Sequence, residues 1–198
     1  MARRGPTYAK LPQTRAAIAY AKQMHAGQWR ADGTAFMLHP LEVASLLYDS
    51  GAADHLIAAG AMHDLIEKAD VTAADLRERF GPQIAGLVLA VSDDDRIVGY
   101  ANRKAALRRQ VAEEGEEALT LFAADKLSKV RELRRERAAD RGGQRRGRVR
   151  ELRARRLKHY QRSLALLEER LPESPLVGEL RDELQSLLSD RAIVARRG

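Results

Sequence analysis

Apolar residues recur every three to four positions along almost the whole of this 198-residue chain, without the convincing period-two alternation that marks a half-buried strand. The pattern predicts an all-α protein. Ile18, Ala21 and Met24 share one face of a helix over 13–26. Gly27 and Gly33 bracket an irregular loop, GQWRADG, after which Pro40, at a first-turn position that tolerates proline, opens a helix to about Ser50. A third helix is expected from about Ala53 to Lys68. Thr72 is a good N-cap for AADLRERF, and Gly81 followed by Pro82 breaks the pattern before a segment that runs to about Val91. Beyond the acidic turn of Asp93, Asp94 and Asp95, helices are expected at about 102–114, 117–137, 148–171 and 175–190. Gly142, Gly143 and Gly147 mark an inter-helix loop, and the tail ARRG should fray. No internal repeat and no long linker divides the chain, so 1–198 is expected to form a single domain.

Alanine and leucine supply the core. Cysteine is absent, which removes disulfides and thiolate metal sites from consideration. No apolar run approaches the ~20 residues of a membrane span, and MARRGPTYAKLPQTR lacks the apolar stretch of a secretory signal. A soluble, cytoplasmic protein without a membrane partner is the expectation. The formal charge of +7 hides an asymmetry: Lys126 to Lys158 carries a net +11, and the remaining chain −4. Such a block attracts polyanions, by a field that salt weakens. Aromatic residues are nearly missing from it, with Tyr160 alone at its edge, so base-stacking recognition of RNA is not expected. Solvated helix faces come first, and steering of a nucleotide by Arg131, Arg134, Arg135 and Arg137 next.

His63 and Asp64 are neighbours inside the apolar run LIAAGAMHDLIEKAD, where an unpaired imidazole or carboxylate is costly to bury. His39 in AFMLHPLEVA and Asp125 in LFAADKLSKVREL complete a mixed nitrogen and oxygen set that favours manganese or iron over thiolate-bound zinc. The bland alternative has His63 bonded to a backbone carbonyl and Asp64 exposed. Glu67, four residues beyond His63, falls on the same helical face and is either a general base or an exposed ion-pair partner. Arg30 can stack on a purine or be solvated at the loop tip, and Trp29 can anchor the core. His25 reads as a helix-end structural residue, His55 and His159 as surface residues.

In order along the chain, AKQMHAGQWRADGTAFMLHP, HDLIEKADVTAADLRERFG, VSDDD and AADKLSKVREL resemble the HD-type hydrolase domain of the RelA/SpoT family over residues 14–133. The likeness is strongest to the stand-alone small alarmone hydrolases that include the metazoan SpoT homologue. This resemblance implies a compact helical HD bundle with manganese held by His39, His63, Asp64 and Asp125. It also implies removal of the 3′-pyrophosphate from a small-molecule guanosine alarmone, (p)ppGpp. Arg30 would then pack on the base and Glu67 would activate water. Beside these, Lys129 and Arg131 are expected to face the substrate as positive charges.

Four positions depart from the family pattern. Lys68 replaces the second catalytic carboxylate, Ala31 a basic residue, and Ser128 and Lys129 an aromatic or histidine followed by asparagine. Lys68 can take part in catalysis by binding phosphate as a point charge, or can pair with Glu67 or Asp64 and disable the water. Two alternatives therefore stand beside the alarmone: another nucleotide or phosphate ester, and a silent fold that binds nucleotide or RNA.

Overall fold

The computed structural model describes residues 6–30, 32–139 and 148–195. After a short 3-10 turn at Thr7–Lys10, Pro12 opens α1 (Pro12–Met24) with a backbone angle already suited to a first helical turn. The Asp54 carboxylate caps this helix from outside, accepting from the amides of Gln13 (3.0 Å) and Thr14 (2.8 Å) and from the Thr14 hydroxyl (2.7 Å). Three donors of one helix end are thereby tied to the start of another, and α1 lies against α3 (Asp54–Met62).

α2 (Leu38–Asp49) packs on the other side of α3, and Gly60 is what lets them approach. A Cβ at Gly60 would sit 2.5 Å from Leu47 Cδ1 and 3.4 Å from Val43 Cγ1, both buried. His39 and His63 ride on this tightly packed pair.

α3 stops at Met62, and a separate turn, α4 (Leu65–Lys68), follows. The single helix expected over 53–68 is therefore corrected to two, broken at His63 and Asp64. The reason is local: the His63 ring takes the Gly60 carbonyl at 2.8 Å, an acceptor that the helical backbone would otherwise use.

α5 (Ala73–Ala90) begins with a reciprocal capping box between Thr72 and Asp75, and it kinks at Gly81, whose φ of 83° precedes Pro82 as the sequence pattern predicts. α6 (Tyr100–Glu113) leads to α7 (Glu116–Ala139), the central helix, which touches α2, α3, α5, α6, α8 (Arg148–Arg170) and α9 (Pro175–Ala195). Its fully buried residues Leu121, Phe122 and Leu127 fill the middle of the bundle. The class is all-α; among the described residues the extended pairing is one isolated bridge, Trp29 with Ala35. No helix among the described residues is long and apolar enough to cross a membrane.

Other side chains depart from expectation. Trp29 is 69% exposed and anchors no core. His159 is buried, not on the surface, and Arg108 donates to its Nδ1 at 2.9 Å. His55 is drawn into an ion pair with Glu117, linking α3 to α7. Among the described residues of the basic block, several make interhelical ion pairs: Arg131 with Glu179 and Glu183, Arg134 with Glu183, Arg135 with Glu42, and Arg156 with Glu136. Ala31, residues 142–147 and residues 196–198 lie outside the described residues.

Candidate metal centre

Four buried polar side chains from three elements meet in the interior, each at most 4% exposed: His39 near the start of α2, His63 and Asp64 at the α3–α4 break, and Asp125 in α7. The Nε2 atoms of His39 and His63 are 3.1 Å apart, and Asp125 Oδ1 lies 3.1 Å from the first and 3.4 Å from the second. Asp64 flanks the group, with oxygens 3.7 Å from His39 Nε2 and 3.5 Å from His63 Nε2. The helical break matters here, because it lets two consecutive side chains turn toward one point.

The far side of each ring fixes what the near side offers. His63 Nδ1 donates to the Gly60 carbonyl, so the neutral ring presents a bare Nε2. His39 Nδ1 is 2.8 Å from Ser128 Oγ, and that hydroxyl donates to Glu42 Oε2 at 3.1 Å, so it accepts from the ring and leaves His39 Nε2 bare as well. Two imidazole lone pairs and a carboxylate oxygen then converge on one point. Lone pairs so arranged repel one another unless a cation lies among them, and this donor set suits a divalent ion. Among the described residues, the compact group able to hold an ion is His39, His63 and Asp125.

Protonation follows the same logic. Burial is the first influence on both rings; it leaves His39 below its ordinary value, whereas at His63 the Asp64 charge and the Asp125 bond outweigh it and hold the ring above. Burial opposes charge on Asp64 and Asp125 too. It is overcome at Asp64 by His63, Lys129 and His39, and at Asp125 by Lys126 and Lys129, so both carboxyls stay well below the usual range. Lys126 pairs with Asp125 Oδ2, and Lys129 Nζ reaches Oδ1 at 2.8 Å.

Around this centre, Glu67 is mostly shielded, its Oε1 accepting from the Asp93 amide at 2.7 Å. Lys68 is half exposed, with Nζ 3.8 Å from Glu67 Oε2. Gln28 reaches across from the loop to donate to the Lys68 carbonyl at 2.8 Å, while its Oε1 lies 2.8 Å from Nδ1 of buried His25. Arg30 is neither solvated nor free; it pairs with Glu132 of α7. The residues on either side of Trp29 in this extended loop thus turn inward, while Trp29 itself turns out.

The structure brings His39, His63, Asp64, Asp125 and Lys129 together, with Glu67 and Lys68 on the adjoining turn. Arg131 is directed elsewhere, into α9. Ser128, one of the departures from the family pattern, buttresses His39 from a fully buried position. Three contributors have no role assigned from the sequence: Glu42, one turn after His39, and Gln28 and Asp93, which lie inside the segments that carry the family resemblance. The last belongs to the acidic turn, and its side chain is buried between Lys104 (2.5 Å) and Arg103 (3.5 Å).

Comparison with known proteins decides the lineage. A family model described as HD domain matches residues 17–147. This chain belongs to the HD domain family. Among curated relatives, the guanosine-3′,5′-bis(diphosphate) 3′-pyrophosphohydrolase of Aquifex aeolicus is 31% identical over 119 residues, covering 59% of this chain and 17% of that protein. The chain thus spans less than a fifth of that relative's length. Among solved structures, a metazoan orthologue of SpoT that hydrolyses ppGpp superposes with a TM-score of 0.75 at 22% identity, covering 88% of this chain and 95% of the other. A protein of Listeria monocytogenes EGD-e superposes at 0.63 with 25% identity, covering 76% and 94%. In this HD domain the histidine–aspartate doublet sits at a helix break, facing a second histidine and a distant aspartate, and His39, His63 and Asp125 form a group able to hold a divalent ion.

Proposed function

We propose that this HD domain, spanning the single unit 1–198, is a manganese-dependent phosphohydrolase that removes pyrophosphate from a 3′-pyrophosphorylated purine nucleotide, ppGpp being the leading candidate. The observation that carries the reading is the meeting of two bare imidazole nitrogens and Asp125 Oδ1 within 3.4 Å, with Asp64 beside them. His39, His63, Asp64 and Asp125 would hold the ion. When bound, it would acidify water and polarise a phosphoryl oxygen. The relatives that act on ppGpp supply the substrate class.

The chain's own residues divide the remaining work. Water attacks the 3′-phosphorus, the bond from phosphorus to the ribose 3′-oxygen breaks, the 3′-oxygen takes the electron pair and a proton to become a hydroxyl, and pyrophosphate carrying the water's oxygen is released. Glu67 receives the water's proton, oriented by the bond from the Asp93 amide to its Oε1. Lys68 and Lys129 offer ammonium groups to phosphate oxygens, and Arg30, held by Glu132, faces the nucleoside. Arg131 is left out of this set because both its ion-pair partners are on α9.

The test is release of pyrophosphate from guanosine and adenosine tetraphosphates by purified protein with manganese, beside a panel of other nucleotides and phosphate esters. Turnover confined to the panel would move the substrate, and no turnover of any compound would defeat the enzymatic reading. A second reading, a silent nucleotide-binding HD domain, draws support from the Lys68 ammonium 3.8 Å from the Glu67 carboxylate. Lys68→Asp separates the two: activity in that variant alone would make the natural protein a binder.

A further inference from the structure

Asp125 is gripped by two lysines, and they differ in kind. Lys126 is 2% exposed, pairs with Oδ2, and its ammonium lies 4.3 Å from the centre of the Phe122 ring, so it is walled in. Lys129, one helical turn on, pairs at 2.8 Å with Oδ1, the same oxygen on which His39 and His63 converge. Its side chain is 27% exposed, which leaves it a way out of the cluster. Asp64 and Glu67 draw on the same ammonium, and it in turn disfavours protonation of His39. The point that the donor set surrounds already feels a positive charge supplied by the chain.

A divalent ion entering this set needs Oδ1 and meets the Lys129 ammonium bonded to it. Repulsion between the two cations and the loss of the 2.8 Å ion pair both weaken ion binding, while Lys126 cannot be traded because it serves the other oxygen. We propose that Lys129 is a resident cation of the centre, competing with the divalent ion for Asp125 Oδ1 and holding the site's ion affinity down. The inference rests on the metal site proposed above. It makes ion loading responsive to ion concentration, and it frees an ammonium beside the phosphates once the ion has displaced it.

The test is calorimetric titration of manganese into the full-length protein without nucleotide, comparing the natural chain with Lys129→Gln and Lys129→Arg. Lys129→Gln should bind at least about tenfold more tightly, and Lys129→Arg, which keeps the charge, should stay within about threefold of the natural chain. Thermal melts with and without manganese guard against loss of fold: Lys129→Gln should melt lower in chelator, where its carboxylates lack their ammonium, and should gain more from the ion. Equal or weaker binding by Lys129→Gln overturns the competition while leaving the metal site standing. Silence from all three proteins, in heat and in melting, overturns both.

Discussion

Ser128 Oγ lies 2.8 Å from His39 Nδ1 across the α2–α7 interface and is itself held by Glu42, so a hydroxyl in one helix sets the ring that another helix aims at the centre. Without it, the ring keeps its place in the core but loses the partner that selects its tautomer. Ser128→Ala should weaken manganese binding by about 10- to 100-fold, the usual scale for such partners, with little change in fold. Manganese titration together with circular dichroism checks this; unchanged affinity would remove Ser128 from the centre.

The ion should also stabilise the folded chain. At a manganese concentration about 100 times the dissociation constant, linkage gives about 2.7 kcal/mol, roughly 5–10 °C in melting temperature for a chain of this length. Asp125→Asn should abolish that gain, and a chelator should reverse it in the natural protein. A melt that ignores manganese would speak against the site.

Gly60 sets the distance between the helices that carry His39 and His63. Replacing it with valine drives new atoms into Leu47 and Val43, and overpacking of this kind costs about 1–3 kcal/mol. Gly60→Val should therefore unfold at lower denaturant and lose manganese affinity out of proportion to its stability. A variant of natural stability and affinity would show that α2 and α3 have slack between them.

His159 predicts an acid sensitivity. Burial, reinforced by Lys126, Lys104, Arg108 and Lys129, lowers its pKa from 6.5 to about 2. The unfolded chain therefore binds the proton that the folded chain refuses, so the contribution of His159 is complete above pH 6.5 and falls away as the solution is acidified. The slope is about 1.4 kcal/mol per pH unit below 6.5. Denaturant midpoints at pH 7 and 5 should differ more for the natural chain than for His159→Gln, and the comparison between the two cancels the opposing shifts of His39 and His63. Identical pH profiles would contradict it.

The helices were readable because their apolar spacing, the Thr72 cap and the Gly81–Pro82 break are local signals, and these determine where elements begin and end. The meeting of His39, His63, Asp64 and Asp125 followed from ordered motifs rather than from periodicity. What escaped the sequence depended on directions between distant helices. Arg131 looks equivalent to any arginine after ADKL until α9 comes alongside it, some fifty residues later, with Glu179 and Glu183. Ser128 has no special neighbour in sequence, and its role appears only when His39 is 2.8 Å away. The break at His63 was hidden because its helix-forming neighbours continue on both sides, and only the ring's bond to Gly60 reveals it.

The acidic residues of α9 behave as a built-in counterion for α7. Glu179 and Glu183 pair with Arg131 and Arg134 along that seam, so the charge of these arginines is offset while the last helix is docked. A chain truncated before Pro175 would display them bare. Such a fragment should copurify with more nucleic acid than the intact chain and shed it in high salt.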